Sequence, residues 1–299
     1  MSVEFCGLAL AHPIINGSGT FDAIAASNVF GDQLRNEFPF AAYVSKTITL
    51  EPRAGNPPPR LWEVAGGLIN SIGLPNKGLE GYMSEDLPKL SGLRTDLGAG
   101  EGSVEVPLIT NVMGSSGDEL ARLVEACDEH PEIAAIELNV SCPNVKTGLD
   151  IGADPKQLEA VVKGLRDRTA KPLIVKLTPN TADVALCALG AQDGGADAVS
   201  LINTLRATAL APRASQATPG ARWLGGGTGG LSGPAIRPVA LAQVAAVAGK
   251  VEIPVVGMGG VQSSRHARDL LDVGATLVAV GTESFRDPTV GRRVASALL

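Results

Sequence analysis

Ile253-Pro254-Val255-Val256-Gly257-Met258-Gly259-Gly260 passes from a short apolar run into two glycines, and Thr276-Leu277-Val278-Ala279-Val280-Gly281-Thr282 repeats the device further on. Both runs are continuously apolar rather than alternating, the pattern of a strand covered on both faces in a parallel sheet. Working back toward the N-terminus, runs of the same kind occupy 13–16, 41–46, 107–112, 134–139, 172–177 and 198–203, which with 253–258 and 276–281 make eight. Helical periodicity separates several of them. Leu120, Leu123, Val124 and Cys127 share one face of 117–129, and Leu158, Val161, Val162 and Leu165 share one face of 155–168. Segments 181–192, 235–248 and 263–273 read the same way, with Thr181 and Ser263 as N-caps. Strand and helix alternating to a count of eight predict an α/β fold, a (β/α)8 TIM barrel rather than an open doubly wound sheet.

The bulk properties agree. A chain of 299 residues suits one barrel domain spanning 1–299, and 44% hydrophobic residues with only 3% aromatics imply a core of branched aliphatics. The net charge of −6 and the lack of any Lys/Arg run argue against a nucleic-acid partner. No apolar stretch reaches membrane-span length, and residues 1–5 carry no basic region leading into an apolar one, so a cytoplasmic protein is expected. The cysteines at 6, 127, 142 and 187 form no Cys-x-x-Cys pair, and the histidines at 12, 130 and 266 share no helical face. Neither a metal site nor a Ser/His/Asp triad is expected.

Two connections exceed ordinary barrel loops. Residues 47–105 follow the second strand and 204–230 follow the sixth, so both insertions belong to the face where barrel active sites are built. Polar residues end most strands: Lys46-Thr47, Asn111, Asn139 leading into Ser141-Cys142-Pro143-Asn144, Lys176, Asn203-Thr204, Gly259-Gly260 and Gly281-Thr282. The last two pairs offer backbone N–H groups where barrels commonly hold a phosphate; by themselves they could equally be tight turns. Lys46 and Lys176 end strands whose neighbours are buried. Their ammonium groups either snorkel outward or meet a ligand, and a flavin needs positive charge at its N1–C2 carbonyl edge. Cys142 stands among polar residues on the active-face loop and is read as a base or nucleophile, whereas Cys6, Cys127 and Cys187 read as inert buried thiols.

Nine motifs, in order along the chain, carry a family resemblance. They are Lys46-Thr47, Pro52-Arg53 with Gly55-Asn56-Pro57-x-Pro59-Arg60, Asn70-Ser71-Ile72-Gly73-Leu74, Asn139-x-Ser141-Cys142-Pro143-Asn144, Val175-Lys176-Leu177, Ile202-Asn203-Thr204, 229–236, Gly257-Met258-Gly259-Gly260 and Gly281-Thr282. Together they resemble class 1 dihydroorotate dehydrogenases, most closely the B type. The resemblance implies FMN-dependent oxidation of dihydroorotate to orotate in de novo pyrimidine (UMP) biosynthesis. Cys142 would take the C5 proton while a hydride leaves C6 for N5 of FMN. Asn70, Gly73, Leu74, Asn139, Asn144, Asn203 and Thr204 would hold the substrate, and Lys46 would touch substrate and flavin. Ser18, Thr47, Asn111, Asn139, Lys176, Ile202, Gly233, Gly259, Gly260, Gly281 and Thr282 would hold FMN. The resemblance also implies a homodimer and an electron-transfer subunit bearing FAD and an iron–sulfur cluster. Three stretches depart from the family pattern: Asp22-Ala23-Ile24-Ala25, the long segment 205–228, and Ser264-Arg265-His266-Ala267. The first two leave the partner surface and the electron acceptor open. A dihydropyrimidine dehydrogenase-like FMN enzyme acting on uracil or thymine is the alternative chemistry, and a non-catalytic flavin-binding barrel the alternative class.

Overall fold

Alternation along each strand decides which side chains enter the barrel. The computed structural model describes residues 2–96, 102–140, 151–213, 215 and 217–298. Its principal sheet has eight strands: β1 Ile14–Asn16, β2 Tyr43–Val44, β3 Leu108–Val112, β4 Ile133–Asn139, β5 Leu173–Lys176, β6 Ala198–Leu201, β7 Val255–Met258 and β8 Leu277–Val280. All neighbours in the ladder are parallel, running from β2 through β3 to β8 and on to β1. Each lies inside its expected run or within one residue of it. The seam between β1 and β2 is closed differently. Ala41 N–H donates to the Ile14 carbonyl at 3.0 Å, and the Asn16 amide both donates to and accepts from the Val44 backbone, each at 2.8 Å. One side chain thus supplies the pairing that a further turn of ladder would have made.

Ile15, Val44, Ile109, Ala135, Ile174, Ala198, Val256, Leu277 and Ala279 form the barrel interior. The alternate residues, among them Ile14, Tyr43, Leu108, Ile136, Leu138, Val175, Val199, Val255 and Val278, pack outward beneath the helices. Toward the carboxyl ends the interior turns polar, with Asn111, Glu137 and Ser200 all buried. Below, a hairpin of Val3–Phe5 and Leu8–Leu10 plugs the amino end with Phe5 and Leu10.

The helices follow the expected faces. Gly117–Asp128, N-capped by Ser116, buries Leu120, Leu123, Val124 and Cys127, and Pro155–Arg166 is capped by Asp154. Ser263 caps Ser264–Asp272 as read from the sequence. Thr181 does not cap its helix. Val184–Asp193 begins later, where the Asp183 carboxylate accepts from Ala185 and Leu186 N–H at 3.0 and 3.1 Å. A carboxylate satisfies two orphan donors at a helix start better than a hydroxyl satisfies one. A 3₁₀ turn, Pro234–Ile236, likewise delays the next helix to Arg237–Ala248.

The two long connections are not irregular. Strands Leu61–Val64 and Gly67–Asn70 from the first pair with Gly229–Ser232 and Leu205–Ala207 from the second in one four-stranded antiparallel sheet. The central pairing joins Asn70 to Gly230, and a Cβ on Gly230 would lie 1.9 Å from the Thr204 hydroxyl, so this close approach requires glycine. Ile69, Ala209 and Leu224 give this hood its own small core, flanked by Trp62 and Trp223 with ring centroids 6.2 Å apart. Among the described residues, no helix is long and apolar enough to cross a membrane.

Candidate active site

Between the carboxyl ends of the strands and the hood lies a cavity of about 440 Å³, within the range of small-molecule sites. Strand ends supply one wall through Lys46, Thr47, Asn139, Lys176, Ile202, Asn203 and Thr204. The hood supplies the opposite wall through Leu61, Leu68, Asn70, Gly73 and Leu74. Asn70 is braced by donating to the Gly230 carbonyl at 3.2 Å, and Leu74 holds a left-handed φ of 53° on the wall. Thr47, nearly fully buried, accepts from Asn139 Nδ2 at 3.3 Å and lies 3.4 Å from the Ser18 hydroxyl. Behind Asn203 and Thr204, Asn180 donates to the Thr204 carbonyl at 3.0 Å and stiffens the turn out of β6.

The electrostatics are set by two lysines. Lys176 is only 6% exposed, and neither its ammonium nor that of Lys46 has a hydrogen bond or ion pair with any described residue. Lys46 is exposed while Lys176 is held at a buried strand end, and both open on the cavity, so this wall suits a ligand that brings negative charge or carbonyl oxygens.

The far end of the cavity is formed by the turns after β7 and β8, with Gly233, Gly259, Gly260, Gly281 and Thr282 on its surface. Gly259 and Gly260 have φ of 134° and 71°, and added Cβ atoms would lie 2.6 Å from Ala240 Cβ and 2.8 Å from Arg237 Cβ. Backbone conformation and packing therefore both demand glycine. The N–H groups of Gly260 and Val261 meet no acceptor among the described residues and are free for an anion.

Most residues singled out in the sequence are thus brought together. Asn111 is the exception on the described chain: it is fully buried one layer beneath the cavity instead of lining it. Cys142 and Asn144 lie outside the described residues. Several wall residues had no role assigned from sequence. Ser232 accepts from the Thr282 hydroxyl at 2.8 Å, and Gln262 ties the two turns together by donating to Glu283 at 2.6 Å. Phe285, 62% exposed, stands at the mouth. Their proximity to the glycine pairs was the available signal, but a side chain's direction out of a turn is not written in its spacing. The described cysteines are remote from this wall, and burial pushes the Cys6 and Cys127 thiols up to about 12, which suits inert sulfur. A shallower groove of about 500 Å³ between Pro155–Arg166 and Val184–Asp193 collects no strand-end residues.

A sequence model of the family described as Dihydroorotate dehydrogenase matches residues 1–299. Among curated relatives, a protein of Geobacter metallireducens is 40% identical over 302 residues, covering 100% of this chain and 92% of its own length. One of Geotalea uraniireducens is 42% identical over 299 residues with the same coverages, and both are named dihydroorotate dehydrogenase B (NAD(+)), catalytic subunit. A solved structure of the Eimeria tenella DHODH in complex with ferulenol superposes with a TM-score of 0.75 at 22% identity, covering 100% of this chain and 83% of that one, a likeness of fold. Matched along its whole length by the family model and by relatives of this identity, the chain belongs to the dihydroorotate dehydrogenase family.

Proposed function

We propose that the protein oxidises (S)-dihydroorotate to orotate, a step of de novo pyrimidine biosynthesis, using FMN held in the cavity at the carboxyl ends of the strands. The observation that carries this reading is the pairing of two lysines, without partners among the described residues, with a doubled glycine turn around one cavity. The family is flavin-dependent, and the residues present fit the mononucleotide. Free N–H groups at Gly260 and Val261 suit a phosphate, and Lys176 suits the electron-rich edge of an isoalloxazine. Ser18, Thr47, Asn139, Ile202, Gly233, Gly281 and Thr282 line the space between. When bound, FMN supplies the acceptor for the hydride leaving C6.

The chain's own residues supply the rest. Asn70, Asn139, Asn203 and Thr204 offer amides and a hydroxyl to a flat pyrimidine, with Gly73 and Leu74 adding backbone groups and Asn144 a further amide. Lys46 touches both substrate and flavin. Cys142 follows the wall residue Asn139 by three positions and removes the C5 proton, which the adjacent carbonyl acidifies. The hood keeps water from the site. The protein is read as the catalytic subunit of a B-type enzyme, a homodimer that passes electrons to NAD⁺ through a separate subunit carrying FAD and an iron–sulfur cluster; the relatives' names support the B type, the NAD⁺ acceptor and a further subunit.

Anaerobic titration of the FMN-loaded protein with L-dihydroorotate tests it. Bleaching of the flavin band with release of orotate is expected. A flavin that uracil-type substrates reduce and dihydroorotate does not would overturn the substrate, and a protein unable to take up FMN would overturn the whole reading.

A further inference from the structure

Beneath the cavity floor lies a group that none of these steps uses. Glu137 on β4 is 4% exposed and occupies the barrel interior, where the layer below is made of Ile109, Ala135, Ile174 and Ala198. A carboxyl group in such a place is costly unless its oxygens are satisfied. Asn111 Nδ2 donates to Oε2 at 2.5 Å and the Ser200 hydroxyl donates to Oε1 at 2.7 Å. Both partners are fully buried.

The orientation of Asn111 follows. The hydrogen bond turns the NH₂ of the amide toward Glu137 and its carbonyl away. That carbonyl oxygen is buried and has no donor among the described residues. On β5, between the strands of Glu137 and Ser200, stands Lys176, which lines the cavity and whose ammonium meets no acceptor among the described residues. Among the described residues, an acceptor without a donor beneath the cavity floor and an ammonium without an acceptor on its wall suit a ligand carrying both an N–H and electron-rich oxygen, as a flavin ring does.

We propose that Glu137 is a positioning residue for the flavin: it holds the Asn111 amide by its NH₂ group, so that the free carbonyl beneath the cavity floor is available to the cofactor. This rests on the flavin reading above. Were Glu137 merely filling space, any group of its size would serve. As a lock it requires one carboxylate and one amide at these two positions, in either order.

The test is a double-mutant cycle on the full chain. Flavin-stripped protein is titrated with FMN to obtain its dissociation constant, and the midpoint potential and thermal midpoint of the reloaded protein are recorded. Glu137→Gln satisfies the amide of Asn111 in either orientation, so the carbonyl is no longer enforced; FMN binding weakens ~3- to 10-fold and the flavin potential shifts as its hydrogen bonding changes. Asn111→Asp alone sets two carboxylates face to face and weakens binding by ~10-fold or more. The double variant, with acid and amide exchanged, recovers to within ~3-fold of the native affinity and to near the native potential. Native protein that binds FMN, together with Glu137→Gln of unchanged affinity and potential, overturns the lock and leaves the flavin reading standing. A double variant no better than the worse single one shows a purely structural role and also overturns it. Native protein that binds no FMN overturns both.

Discussion

The two ends of the barrel are both covered, and they are covered in opposite ways. At the amino end the Val3–Phe5 and Leu8–Leu10 hairpin packs Phe5 and Leu10 against the aliphatic interior. At the carboxyl end a four-stranded hood spans the strand ends and leaves about 440 Å³ beneath it. The plug is made by residues adjacent in sequence, whereas the hood joins Asn70 to Gly230 across most of the chain. The filled end is joined by apolar contacts, whereas at the open end polar groups such as Lys176 and Asn111 Oδ1 meet no partner among the described residues.

Perturbations at either end can break or sharpen this contrast. The largest expected effect is at the plug: Phe5→Ala removes a side chain 1% exposed and should lower unfolding free energy by about 3–5 kcal/mol in denaturant titration. Flavin reduction measured in the surviving folded fraction should stay native, and a comparable loss of reduction rate would mean that the ends are not separable.

His12, just beyond the plug, makes the same end sensitive to acid. It is buried, accepts from Ile14 N–H at 3.3 Å, and burial lowers its pKa from 6.5 to about 4. The unfolded chain binds the proton more readily. This contribution to stability is therefore complete above about pH 6.5, declines as pH falls toward 4, and changes no further below that. The decline amounts to about 3 kcal/mol. His12→Asn should flatten that part of the stability–pH curve, and a slope identical to that of the native protein would refute the assignment.

At the open end, Cys142→Ala should bind FMN and orotate normally while anaerobic flavin reduction slows at least ~10²-fold, the low end for a lost general base. Unchanged stopped-flow kinetics would remove Cys142 from the mechanism. The smallest effect is expected from Lys176→Ala, which should weaken FMN retention ~10-fold and lower the flavin potential, since the reduced, anionic ring loses its cation. Redox titration showing an unaltered flavin would contradict the electrostatic part of the contrast.

Legibility from sequence followed the locality of each interaction. The eight strands and the helices Gly117–Asp128 and Pro155–Arg166 were readable because burial on both faces, or on one helical stripe, writes itself into consecutive residues. The helix start at Asp183 was displaced because Thr181 and Asp183 offer competing caps two residues apart, and two N–H partners decide between them. Segments 47–105 and 204–230 read as loops because each contributes strands of only three or four residues, too short to announce themselves. Their pairing exists only once the barrel has brought the two together. The wall residues Lys46, Asn139, Lys176 and Thr204 were foreseen because they end strands. Glu137 carries no signal in the sequence, because it lies inside an apolar run with no turn or motif to mark it.

The sequence by itself determined the alternation of strand and helix, the face on which polar residues gather and the family to which its motifs point. All of these are carried by residue types at short spacing, where side-chain chemistry and backbone propensity act directly. Only the tertiary structure decided that two remote segments form one hood, that Asn16 closes the barrel seam, and that Glu137 meets Asn111 and Ser200 beneath the cavity. Those contacts join residues that stand far apart along the chain, and their energies exist only after the barrel has closed around them.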